Sequence, residues 1–138
     1  MSDTDSIATL LGTTDAFAGC PAPVLEEIAG ALSETTVAPG AELVEKGAKC
    51  RDVFVAVSGR FGVFIDPEAT EPAVVLERGA VFGEIGAVSG IEATASVRAL
   101  DEASVLAIPV ADLHRHMRRT PELAASMLRS LSQYLGKD

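Results

Sequence analysis

Residues 82–99 read FGEIGAVSGIEATASVRA, and the fold of the chain turns on how this stretch is read. Gly79 and Gly83 bracket a tight connection after the apolar run AVVLERG at 73–79. Gly83 carries no side chain, so another group can approach its backbone closely. The spacing predicts one or two turns of helix over 84–89, ended by Gly90. The N–H groups of Glu84, Ile85 and Gly86 then stand unpaired at the helix start, where an anion is favoured. Glu84 admits two roles. It complements the helix dipole from outside, or it is held inward and needs a donor such as a sugar hydroxyl. Thr94, opening the next strand, offers a hydroxyl and an N–H beside it. In the plainer reading Phe82 packs, Gly83 turns and Glu84 caps. No basic residue lies between Glu84 and Arg98, and Glu92 sits in the middle.

The flanking sequence sets this turn in a β-rich middle between helical ends. CPAPVLEEIAGAL (20–32) spaces Val24, Leu25, Ile28 and Leu32 for a helix over 22–33, with Pro23 in its first turn. Residues 1–12 read as a tail with a weak helical start, so the domain is expected over 14–138 after a tail at 1–13. TTVAPGAELVEKG has a Pro39-Gly40 turn between two short extended runs. DVFVAVSGRFGVFI (52–65) reads as two strands about Ser58-Gly59, DPEATEP as an acidic hairpin loop, and AVVLERG as a further strand. TASVRAL and ASVLAIPV are two more, and two helices follow from 110 onward. Many short strands with turn signals every ~8–12 residues predict a barrel or jelly roll.

A chain of 138 residues, 48% apolar, makes one domain with its own core. There is no Trp and few aromatic residues, so Val, Leu, Ile and Ala must fill that core. The net charge of −9 repels nucleic acid and anionic lipid over most of the surface. Cys20 and Cys50 have no CxxC spacing and are expected as free thiols in a reducing cytoplasm. No apolar run approaches the ~18 residues of a membrane span.

The order of helix, β-roll, FGE turn, small-residue strand and two helices resembles the cyclic nucleotide-binding domain family. That family includes the catabolite activator protein, the regulatory subunits of cAMP-dependent kinase and the cytoplasmic domains of cyclic-nucleotide-gated channels. The likeness covers roughly residues 14–136. It rests on VAPGAELVEKGAKCRDVFVAVSGRFGVF, with glycines at 40, 47 and 59, and on GAVFGEIGAVSGIEATASVRA. It implies an α+β, mainly β fold: an eight-stranded, jelly-roll-like β-roll with an N-terminal helix, a short phosphate-cassette helix and two C-terminal helices. It further implies a regulatory cAMP or cGMP sensor with no enzyme activity and no other cofactor. The ligand-binding positions become Phe82, Gly83, Glu84, Ile85, Gly86, Ala93, Thr94 and Ala95, with Glu84 accepting from the ribose 2′-hydroxyl. The family's phosphate-neutralising Arg is replaced by Ala93, and Arg98 belongs to a later strand position. A charge-assisted hydrogen bond is worth ~1.5–3 kcal/mol and each ~1.4 kcal/mol is tenfold in affinity. Binding is therefore expected to be weakened. The alternative is a protein-interaction module on the same fold that no longer binds nucleotide.

Other candidates are weaker. His114 and His116, at i and i+2 on a helix, do not face each other, so no metal site is expected; with Arg115, Arg118 and Arg119 they read as a solvated face, the alternative being a docking patch for an acidic partner. Ala124, Leu128, Leu131 and Leu135 form an apolar stripe on the last helix, flanked by Met127 and Tyr134, expected to pack on the core. By the resemblance this helix also serves as a lid through Tyr134 or Leu135, and as a contact for a protein partner or a homodimer. No Ser–His–Asp set or P-loop appears, and DNA is not an expected partner.

Overall fold

The computed structural model describes residues 3–135, apart from the side chains of Asp3, Val88, Gln133, Tyr134 and Leu135. Period-two alternation of Val and Ala with half-buried residues drives the middle of the chain into eight short strands. One sheet holds β1 (Glu34–Val37), β8 (Ala103–Pro109), β3 (Asp52–Ser58) and β6 (Val81–Phe82), in that order. The other holds β2 (Glu42–Val44), β7 (Ser96–Ala99), β4 (Phe61–Phe64) and β5 (Val74–Leu76). All pairings are antiparallel. This is the expected eight-stranded roll. The two-residue β6 is the strand that periodicity does not reveal.

Consecutive strands rarely pair. Among the described residues only β4 and β5 form a hairpin, closed by the acidic loop at 66–72; every other connection between these strands passes from one sheet to the other. The Ser58-Gly59 turn is such a crossing. Gly59 has φ of +78°, and a Cβ there would sit 2.7 Å from the Glu102 carbonyl oxygen and from Ala103 Cα. Three of the five phenylalanines concentrate between the sheets. Phe82 stacks on Phe54 of its own sheet and meets Phe61 of the other, each at 5.3 Å between ring centres. Val44, Ala56, Val97, Ala99, Ala103 and Val105 complete this cluster.

Residues 33–110 form one compact unit, and the two ends of the chain form a second, helical one. The expected tail is instead the first helix of that unit, α1 (Asp3–Thr13), with Leu10 and Leu11 buried. Thr13 and Thr14 donate their hydroxyls to the carbonyls of Leu10 and Leu11 at its end. The second helix, α2 (Ala22–Gly30), stops three residues short of the expected end. A six-residue helix, α3 (Glu84–Ser89), lies within the β-rich unit. α4 (Val110–Arg119) and α5 (Pro121–Leu135) follow the roll.

Two expectations about the last helices change. His116, read as part of a solvated face, is buried beside Leu113 in the sequence of α4, where a three-residue step returns it to that helix face. The buried stripe of α5 is Leu123, Ser126, Met127 and Ser130, whereas Leu128 is 59% exposed. Polar anchoring explains the rotation: Ser126 Oγ accepts the Gly19 N–H at 3.1 Å and donates to the Asp15 carbonyl at 3.3 Å. The lid positions, Tyr134 and Leu135, have side chains outside the described residues. No helix among the described residues is long and apolar enough to cross a membrane.

Gly59→Ala must adopt an unfavourable φ and press on backbone that cannot yield. It should destabilise the protein by about 2 kcal/mol or more, read as a lowered urea midpoint at unchanged slope.

Candidate functional site

The connection from β6 to α3 is set by two buried neighbours of one glycine. Phe82 enters the aromatic cluster, and Glu84, two residues on, is only 4% exposed. Gly83 between them has φ of +86° and ψ of −6° and acts as the N-cap of α3. A Cβ at Gly83 would stand 3.0 Å from the Asp52 carbonyl oxygen. The expected helix is present with both expected boundaries, Gly90 closing it through its N–H to the Gly86 carbonyl at 2.8 Å. Ala87 donates to the Gly83 carbonyl. Among the described residues, the N–H groups of Ile85 and Gly86 have no hydrogen-bond partner.

Glu84 is the unusual group. Its Oε2 is buried and has no hydrogen-bond partner among the described residues. Burial pushes its carboxyl up to about 7 from 4.5, while its own main-chain N–H pulls the other way. A buried acceptor left unsatisfied costs roughly 1–3 kcal/mol, so the fold retains a penalty here that a hydrogen-bond donor would remove.

Ala93, Thr94 and Ala95 arrive from the other side of the same platform, residues 47–54. Ala93 donates its N–H to the Ala48 carbonyl at 2.9 Å and accepts the Gly47 N–H at 2.8 Å. Glu92 pairs with Lys49 in a single antiparallel bridge. The main chain of Ala93 is thus engaged. Thr94, expected to open the strand, lies in a bend two residues before β7; it is exposed, and its hydroxyl has no partner among the described residues. Ala95 is half-buried beside it. Arg98 faces away from any such role. It pairs with Glu42 at 3.1 Å, donates to the Pro67 carbonyl at 2.9 Å and lies 4.7 Å over the Phe64 ring.

The platform itself was not singled out by the sequence. A Cβ on Gly86 would stand 3.0 Å from Cys50 Sγ and 3.1 Å from the Ile91 carbonyl oxygen, so α3 packs closely on this segment at a residue without a side chain. Burial, and next the Glu84 charge, raises the Cys50 thiol above its usual range; the cysteine is a packing surface and not an activated nucleophile. A cavity of about 250 Å³ opens against this segment, lined among others by Leu43, Glu45, Lys49, Cys50, Arg51 and Phe54. The only advance signal was the glycine pair at 83 and 86, which demands a close neighbour without naming it. On the second sheet, Val63 pairs with both Val74 and Val97. Val97 is buried, but Val74 is 52% exposed, so the apolar face continues past the edge of the core. Among the described residues no three His, Cys, Asp or Glu side chains gather to hold a metal ion.

The model of the "Cyclic nucleotide-binding domain" family matches residues 34–120. The chain is 30% identical over 123 residues to the cyclic nucleotide-gated channel alpha-4 of Mus musculus, covering 85% of this chain and 21% of that protein. It therefore spans about a fifth of the length of that curated relative. The sensor domain of the transcriptional regulator DNR from Pseudomonas aeruginosa superposes with a TM-score of 0.80 at 19% identity, covering 98% of this chain and 92% of that one. The regulatory domain of Toxoplasma gondii PKA, solved with cAMP, gives 0.80 at 18% identity over 96% of this chain and 51% of that one.

The Glu84 carboxyl makes stability depend on pH. Its folded value lies above its unfolded one, so the folded chain holds the proton more tightly and the stabilisation is complete below about 4.5. It fades as pH rises through about 7, a total of about 3 kcal/mol. Unfolding measured at pH 5 and pH 8 should show that loss in the wild type and its absence in Glu84→Gln. Gly83→Val should also destabilise, by about 2 kcal/mol or more, because both φ and the Asp52 carbonyl oppose a side chain.

Proposed function

The chain belongs to the cyclic nucleotide-binding domain family, and on that premise we propose that residues 82–95 form a ligand-binding cassette with a weakened hold on phosphate. Glu84 accepts from a ribose hydroxyl. The N–H groups of Ile85 and Gly86, with Thr94, face the phosphate, and Ala93 and Ala95 border it. The exposed apolar face at Val74 offers a surface for the base. The observation that carries this reading is the orphaned, buried Oε2 of Glu84, an acceptor whose need a sugar hydroxyl meets. The module is a regulatory binding domain, with no chemistry beyond binding. Ligand entry is read out by the C-terminal helices, to a protein partner or a second copy of the chain, in the cytoplasm.

A second reading has its own support. Ala93 supplies no charge, its main chain is already bonded to Ala48 and Gly47, and Glu92 beside it repels an anion. On that reading the domain is an interaction module that binds no nucleotide.

Calorimetry with cAMP and cGMP decides between them. The first reading expects weak binding to the wild type, abolished by Glu84→Leu and tightened in Ala93→Arg by roughly ten- to a thousandfold. Absence of heat with both the wild type and a folded Ala93→Arg protein establishes the interaction module instead.

A further inference from the structure

The charges around the cassette bear on what kind of ligand its acceptor is built for. Each basic side chain near it is committed or stands beside an acid. Lys46 Nζ donates to the Ile65 carbonyl at 2.7 Å. Arg98 is held by Glu42 and the Pro67 carbonyl. Lys49 lies directly across its bridge from Glu92. Arg51 shares its cavity with Glu45 and Asp52. Position 93 presents a methyl group. Against this stands Glu84, 4% exposed, with one carboxyl oxygen lacking a donor among the described residues. The site is therefore rich in acceptor and poor in positive charge, within a chain of net charge −9.

Such a site selects hydrogen-bond donors and penalises anions. A 3′,5′-cyclic phosphate spends two of the three ribose oxygens in its ring. It leaves one hydroxyl to donate and brings a negative charge to a place where each nearby cation is committed or stands beside an acid. The parent nucleoside is neutral and keeps adjacent 2′ and 3′ hydroxyls. Those can donate to both oxygens of one carboxylate, including the orphaned Oε2. Resting on the assignment of Glu84 to the ribose made above, we propose that this site prefers an uncharged nucleoside to the corresponding cyclic nucleotide. Ala93 and the orphaned oxygen of Glu84 together set that preference.

The test is a comparison of adenosine and guanosine with cAMP and cGMP by calorimetry, on the wild-type chain first, which needs no variant to fold. The nucleoside should bind at least about tenfold more tightly than its cyclic phosphate. Both 2′-deoxyadenosine and 3′-deoxyadenosine should lose about tenfold against adenosine, each lacking one donor. Ala93→Arg, with its fold checked by circular dichroism, should tighten cAMP by ten- to a thousandfold and leave adenosine within about threefold. Tighter binding of cAMP than adenosine by the wild type overturns the proposal, while leaving the cyclic nucleotide reading intact. Binding of cAMP by Ala93→Arg, with no wild-type binding of either class, also overturns it and again spares the cassette assignment. Failure of every ligand with both chains removes the cassette reading together with this one.

Discussion

The burial of residues on both sides of Gly83 is the constraint on which the site depends. Phe82 is drawn into the aromatic cluster that joins the two sheets, and Glu84 is drawn under the first turn of α3. Both ends of this short connection are fixed, so the glycine between them must take a left-handed conformation against the Asp52 carbonyl. Core packing thereby aims the carboxylate. Among the described residues no salt bridge holds it, its own main-chain N–H being the one donor to it, and the cost is an Oε2 without a partner. Such a cost is tolerated where surrounding structure over-determines the geometry, which is common at ligand sites.

The same packing explains why the cassette is a joint and not an isolated motif. Segment 47–54 carries α3 on one side through Cys50 and Asp52, and the isolated bridge at 92–93 on the other through Ala48 and Gly47. The first five residues of that segment lie outside the named strands, and the rest runs into β3 in the interior of its sheet. A donor meeting Glu84 would relieve the desolvation of its charged form and so favour ionisation. On the proposed assignment, binding of a donor at Glu84 and protonation of this group would be linked, because the carboxylate, and not the acid, accepts through both oxygens.

Electrostatics and shape favour different ligands at this site. Small residues, the N–H groups of Ile85 and Gly86 and an exposed Thr94 are what the proposed phosphate site has to offer. The balance of charge does not welcome a phosphate. Arg98, the nearest following guanidinium in sequence, is spoken for by Glu42, Pro67 and the Phe64 ring on the face of its sheet away from Val97.

Much of this was legible from residue order alone. Period-two runs, Gly and Pro punctuation and the glycine-flanked EIGAVS segment specify strands, turns and a short helix locally, because backbone preference and alternation act over a few residues. The family resemblance was also visible there. Other features were not. The helix at 3–13 carries a polar, acidic start that propensity ranks low, and burial of Leu10 and Leu11 supports it. The rotation of α5 follows from Ser126 bonding to residues more than a hundred positions away. Strand partners were invisible because all but one connection crosses between sheets. The sequence by itself determined which segments extend or coil and which charges are present. Only the tertiary structure decided that Glu84 is turned inward with an unmet oxygen, since burial is a property of what distant residues place around a group.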